Sequence, residues 1–197
     1  PVANDFYAMI DGCLAKLDQL GAVIVVTADH GMNDKHNADG SPDVVYLQPL
    51  FDQWIGKGKA RVILPITDPY VAHHGALGSF ATVYVPTATD IWPLIDKLKQ
   101  VDGIDLALPR QVGCERFELP PDRIGDIVVV SGRQKVLGTA PEKHDLSGLD
   151  EPLRSHGGLA ERLVPMISNR KLSLQRTRKL RNFDAFDLAL NQIGRAH

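Results

Sequence analysis

Apolar residues recur at helical spacing from the start of the chain, with Phe6, Met9, Ile10, Cys13, Leu14, Leu17 and Leu20 falling on one face. That periodicity predicts an amphipathic helix, capped by Asn4 or Asp5 and ended by Gly21. The pattern then changes. Ala22-Val23-Ile24-Val25-Val26 is a continuous β-branched run, the signature of a central strand buried on both faces. It leads into Thr27-Ala28-Asp29-His30-Gly31-Met32-Asn33, where the apolar pattern stops, and then into a turn-rich loop from Asn37 to Pro42. Strand signals follow at Val44–Leu47, Arg61–Leu64, Thr82–Val85, Ile104–Leu108, Asp126–Val130 and Val164–Ile167. Between them a helix is predicted over Ile91–Val101, capped by Thr89 or Asp90 with Pro93 in its first turn. Another, over Asp184–Ile193, is capped near Asn182. Residues 138–158 carry little regular pattern but hold His144 and His156. Helices alternating with buried strands predict an α/β layer fold. With no repeat, low-complexity tract or linker, residues 1–197 are expected to form one domain.

Composition narrows the function classes. The 197 residues are 44% hydrophobic and 23% charged, with a formal net charge of −2. This suits one globular α/β domain, or most of one, and gives no electrostatic footprint for nucleic acid. The densest basic cluster, Arg176–Arg181, reads as a solvated approach to the last helix. Cys13 and Cys114 cannot build a disulfide framework or a cysteine metal site, which fits a reducing, cytoplasmic compartment. No apolar run is long enough to span a bilayer, and no membrane partner is expected. The chain opens Pro1-Val2-Ala3-Asn4 without a Met and reads as a piece of something longer.

Candidate chemistry concentrates at Asp29-His30. Within a strand, adjacent side chains point to opposite faces, but just past its end the backbone can turn, and Gly31 permits that turn. Both groups can then converge at the carboxyl edge of the sheet, where open α/β folds place their sites. A carboxylate and an imidazole are donors that suit zinc. The competing reading is an ordinary strand-end Asp beside a surface His. His156, followed by Gly157-Gly158, sits in a loop that allows close approach to an ion, although alone it reads as structural rather than functional. His73-His74, in a Gly-rich loop, reads either as a structural loop or as lining a substrate pocket or orienting a ligand, and Arg154 either neutralises a bound anion or bonds a backbone carbonyl. The Gly75–Ser79 stretch lacks the ending of a P-loop. His36 and Asp39 near Gly40 lack the acidic spacing of a calcium loop. Lys143-His144-Asp145 reads as a turn, with a supporting role toward His156 left open.

Taken together, Thr27-Ala28-Asp29-His30-Gly31-Met32, Arg123-Ile124-Gly125-Asp126-Ile127-Val128 and His156-Gly157 resemble the C-terminal half of the alkaline phosphatase superfamily, on its nucleotide pyrophosphatase/phosphodiesterase side. Four further stretches sharpen the resemblance toward the phosphonoacetate hydrolases: Ile66–Val71, His73–Gly78, Lys143–Leu149 and Leu153–Gly158. The resemblance implies an alkaline-phosphatase-like central sheet flanked by helices, represented by its C-terminal portion. It implies hydrolysis of a C–P bond in a small anionic phosphonate at a site holding two zinc ions. By position, Asp29 and His30 match the pair that holds one zinc, together with an upstream Asp and a nucleophilic Thr. His156 matches the last ligand of the other zinc. The family's remaining ligands, including an Asp-x-x-x-His, are expected upstream, because no histidine here precedes His30. No catalytic nucleophile is therefore expected in this chain. Breaking a C–P bond expels a carbanion, which the adjacent carboxylate of phosphonoacetate delocalises. The metal pair, about 3.5–4 Å apart, would activate the Thr and clamp the phosphonyl oxygens. Asp29, His30 and His156 transfer no proton in this scheme. Two rivals stay open: a phosphodiesterase or nucleotide pyrophosphatase of the same superfamily, and a non-catalytic fragment that acts as an assembly or binding piece. An incomplete sheet would expose apolar surface, so self-association, as a homo-oligomer, is a further expectation.

Overall fold

A computed structural model describes residues 2–65, 77–173 and 179–194. Its helices are α1 (Val2–Gln19), α2 (Leu47–Ile55), α3 (Trp92–Leu98), α4 (Arg110–Phe117) and α5 (Ala185–Asn191). Its strands are β1 (Val25–Thr27), β2 (Asn33–Asp34), β3 (Val44–Tyr46), β4 (Arg61–Ile63), β5 (Phe80–Tyr84), β6 (Ile104–Pro109), β7 (Ile127–Ser131), β8 (Val136–Gly138), β9 (Arg154–Ser155) and β10 (Met166–Ser168). The chain divides into two compact units, with the boundary between Asp29 and His30. One runs from His30 to Arg162; the other joins the segment up to Asp29 with the segment from Leu163 onward.

The His30–Arg162 unit is built on an antiparallel sheet in the order β4-β5-β7-β6. Every residue of β7 is buried, as its unbroken apolar run predicts. Ile127 and Val129 face a core shared with Leu47 and Phe51 of α2 and Leu94, Ile95 and Leu98 of α3. Val128 points the other way, against Gly113 of α4, where a Cβ would stand 2.7 Å from Val128 Cγ2. Each large side chain sealed in this way contributes about 1.5–3 kcal/mol. Two helices here, α2 and α4, follow directly on strand signals. The segment Arg110–Phe117 has almost no apolar stripe, with charged and small residues throughout, so periodicity gives no sign of it. The β3–β8 pair is parallel and the β2–β9 pair antiparallel.

The other unit differs from expectation in its strand. The run Ala22–Val26 predicts a central, fully buried strand, whereas β1 is shorter, half-buried, and pairs only with β10 among the described residues. An apolar run states what a strand can bury, but the neighbouring layers decide what it does bury. Helix α1 starts at Val2, ahead of the caps expected at Asn4 or Asp5, and leaves Asp5 in its first turn, where a carboxylate complements the helix dipole. None of its residues is buried. Helix α5 packs on β1. Among the described residues, no helix is long and apolar enough to cross a membrane. Cys13 and Cys114 are both free thiols, the first exposed and the second buried.

Candidate metal centre

Within the His30–Arg162 unit, two loops distant in sequence are sewn together around a pair of histidines. β2 lies three residues after His30, and β9 ends one residue before His156. Their ladder sets Asn33 opposite Ser155 and Asp34 opposite Arg154. Main-chain bonds extend the seam on both sides. Gly31 N–H donates to Glu161 O at 2.6 Å, Lys35 N–H to Leu153 O at 2.8 Å, and Ser79 N–H to the His156 carbonyl at 2.8 Å. As a result the imidazoles of His30 and His156 stack, ring centroids 3.6 Å apart and planes within 10°. Sequence separation alone gave no reason for that contact; the ladder supplies it.

Glycines fit the close quarters. Gly31 is not in the left-handed region, so its part is to let the chain approach Glu161, whose carbonyl oxygen would stand 3.1 Å from a Cβ. Gly157 has φ of +96°, a conformation that disfavours a side chain directly after His156.

The His30 ring is oriented by its own loop. Nδ1 lies 2.8 Å from the Gly31 carbonyl oxygen. A carbonyl can only accept, so Nδ1 carries the proton and Nε2 carries the lone pair of the neutral ring. Donating one ring N–H to a backbone carbonyl is how metal-binding histidines are commonly fixed. Imidazole and carboxylate are zinc donors, so the residue types and the His30 tautomer fit that ion. Among the described residues, no group of three His, Cys, Asp or Glu side chains stands together as a complete ligand set. Asp29 is exposed and belongs to the other unit, where its carbonyl accepts a bond from Asn182 Nδ2 at 3.3 Å.

The histidines border a pocket of about 500 Å³ whose other walls include Phe80, Phe117, Leu119 and Ile124. Apolar walls around ligand nitrogens exclude water and strengthen local electrostatics. Beneath the loops lies a buried ion pair that sequence reasoning missed: Lys35 Nζ to Glu161 Oε1, 2.9 Å. Burial pushes the Glu161 carboxyl up, but hydrogen bonds from Asn33, Lys35 and Gly158 outweigh it and hold the group below its usual range. Nothing in Asn33-Asp34-Lys35-His36-Asn37 marks the lysine as buried, since lysine is almost never fully buried without a partner.

The remaining candidates are placed as follows. Arg154 is exposed and pairs with Asp34 across the ladder, Nη1 to Oδ1 at 2.6 Å. His144 is buried, and its Nε2 accepts the Thr139 N–H at 2.9 Å, an arrangement that ties down its turn. The His36–Ser41 loop closes on itself, with Asp39 Oδ1 taking the Ser41 N–H at 2.9 Å and the hydroxyl at 2.6 Å. Those bonds hold the Asp39 carboxyl below its usual range. His73 and His74 lie outside the described residues.

No family model matches the chain. Among solved structures, it is similar to phosphonoacetate hydrolase from Sinorhizobium meliloti 1021 in complex with phosphonoformate, at 63% identity and a TM-score of 0.90. The same enzyme in complex with phosphonoacetate gives 63% identity and a TM-score of 0.89. Both comparisons cover 96% of this chain and 46% of that one, so the chain spans about half the length of these relatives. Human ectonucleotide pyrophosphatase/phosphodiesterase 5, at 14% identity and a TM-score of 0.56 over 95% of this chain and 46% of that one, shares the fold alone. The murine protein, at 17% and 0.55 over 85% and 40%, does the same. The chain thus has the alkaline-phosphatase-like α/β fold of the C-terminal part of these proteins, and the resemblance to the phosphonoacetate hydrolases read from its motifs is found again in three dimensions.

Proposed function

We propose that this chain is the part of a zinc-dependent phosphonoacetate hydrolase that carries Asp29, His30 and His156 as metal ligands, acting in one catalytic domain with the remaining ligands and a nucleophilic Thr. The observation that carries the reading is the His30–His156 stack. Two parallel rings with centroids 3.6 Å apart bring two imidazoles, a zinc-donor type, from distant loops to one place, and the assignment of each ring to a different ion of a pair rests on the resemblance. The likeness at 63% identity to an enzyme solved with phosphonoacetate supports that substrate. Asp29 comes from the other unit, and its part in the site rests on the resemblance. When bound, the metal pair supplies charge neutralisation for the phosphonyl oxygens and lowers the pKa of a coordinated nucleophile.

The chain's own residues hold and orient. His30 presents Nε2 with its ring held by the Gly31 carbonyl, and His156 is backed against it by the turn at Gly157. Phe80 and Phe117 form an apolar wall beside the histidines, of the kind that limits solvent access to a metal site. His73, His74 and Arg154 are assigned to substrate contact or ligand orientation from their residue types and sequence positions, in a cytoplasmic protein that takes a small anionic substrate. Because zinc usually takes at least three protein ligands for tight binding, the 197-residue chain by itself should hold the metal weakly and turn over nothing.

The test uses the intact polypeptide that contains this chain. It should release phosphate from phosphonoacetate, lose that activity with a chelator, and regain it with zinc. His30→Ala should remove activity while the far-UV circular dichroism is kept. An active, metal-free His30→Ala protein overturns the metal assignment. Faster hydrolysis of a nucleotide ester than of phosphonoacetate would replace the substrate and leave the metals in place. Sub-micromolar zinc affinity with turnover by the 197-residue chain alone would show that the site closes without further ligands.

A further inference from the structure

Lys35 is 0% exposed and Glu161 2%. Two charges removed from water carry a desolvation penalty that their attraction offsets only when every remaining hydrogen-bonding position is filled, and here the filling is directed at the histidine loops. Lys35 Nζ has three N–H donors, and it donates to Glu161 Oε1 at 2.9 Å, Ser79 Oγ at 2.8 Å and the Arg133 carbonyl at 2.6 Å. Glu161 Oε1 also accepts Asn33 Nδ2 at 2.7 Å, and Oε2 accepts the Gly158 N–H at 2.8 Å. Its own carbonyl takes the Gly31 N–H at 2.6 Å.

One residue therefore grips the chain next to His30 with its main chain and the chain two residues after His156 with its side chain. Lys35 fixes that carboxylate from the end of β2. The contact is tight: a Cβ at Gly158 would stand 2.9 Å from Glu161 Oε2 and 2.9 Å from Ser79 Cβ. We infer that Lys35 and Glu161 are a positioning pair that sets the spacing of the His30 and His156 rings, and through it the affinity of the metal site. The role in metal affinity rests on the proposed function; the role in ring spacing does not.

The test uses Glu161→Gln, and a double variant, Lys35→Met with Glu161→Gln, that leaves no charge orphaned in the interior. In the intact polypeptide, cobalt titration followed by visible absorption reads both affinity and coordination geometry. Partners that orient metal ligands typically change affinity by about 10–100-fold when removed, and a loss of that size with a shifted cobalt band is expected in both variants. In the metal-free protein, the cross-relaxation between ring protons of His30 and His156 should weaken. A double variant that unfolds like the parent yet binds cobalt weakly separates positioning from simple stability. A double variant with parental affinity, spectrum and ring contact overturns the inference. Should the double variant fail to fold, Asn33→Ala removes the bond to Glu161 Oε1 together with an exposed one from Arg133 Nε, and it must weaken cobalt binding severalfold, or the inference falls. If the parent takes up no metal while the variants still lose the ring contact, the functional reading fails and the positioning role stands.

Discussion

The two units of this protein fold with very different amounts of interior. In the His30–Arg162 unit, a four-stranded sheet is covered by helices, and its core residues Leu47, Phe51, Ile95, Leu98, Ile127 and Val129 are all at or below 1% exposure. In the other unit, Leu188 is the single apolar residue that is buried among those described, while Phe6, Leu20, Phe186 and Leu190 stand between 55% and 83% exposed. Both sequences are amphipathic or apolar enough to build a core. The difference lies in how many layers are present to close over the apolar faces. It bears on the proposed metal site because the two histidines are held by the sealed unit, whereas Asp29 is held by the open one.

The comparison breaks most easily at Phe51. Phe51→Ala removes a fully buried ring that packs edge-on to Trp54 at 5.4 Å, and a loss of about 3–5 kcal/mol is expected. Both tryptophans, Trp54 and Trp92, lie in the sealed unit, so urea unfolding followed by tryptophan fluorescence reads that unit specifically. Phe186→Ala, at 76% exposure in the open unit, should change the same midpoint by no more than about 0.5 kcal/mol. Equal effects at the two positions would erase the distinction.

An intermediate effect is expected from acid. The Glu161 carboxyl is depressed in the folded state, so it binds a proton less readily when folded than when unfolded. Its contribution is present above the unfolded value, about 4.3, and is lost as pH falls through the lower folded value. Stability of the sealed unit should therefore decline below about pH 4.3, and Glu161→Gln should flatten that decline. A variant with the parental acid profile would show that the carboxylate is not the group being titrated.

The smallest effect should come from Arg154→Ala. Its bond to Asp34 joins side chains that are 59% and 57% exposed, and such surface pairs contribute about 0–1 kcal/mol. A thermal melt within about 3 °C of the parent is expected for so small a change. If activity toward phosphonoacetate falls while the melt is unchanged, Arg154 acts on the substrate rather than on the ladder.

The sequence by itself settled much of the local structure. The helical face from Phe6 to Leu17, the β-branched run at Ile127–Val130, and the proline-started helix after Ile91 all appear where their pattern placed them, because hydrophobic pattern is a property of neighbouring residues. It also marked Asp29, His30 and His156 as donors of the right type, at a strand end and beside glycines. Beyond the meeting of His30 and His156 at one site, which the resemblance implied, it left open the facts that depend on which segments lie across from each other. That β1 is half-buried, that Arg154 spends its charge on Asp34, and that His144 ties its own turn are outcomes of pairing. The stacking of His30 on His156 is of the same kind, and so is the burial of Lys35 against Glu161. Only the tertiary structure decides these, because a two-residue ladder and a single ion pair leave no periodic trace in a chain whose partners lie more than a hundred residues apart.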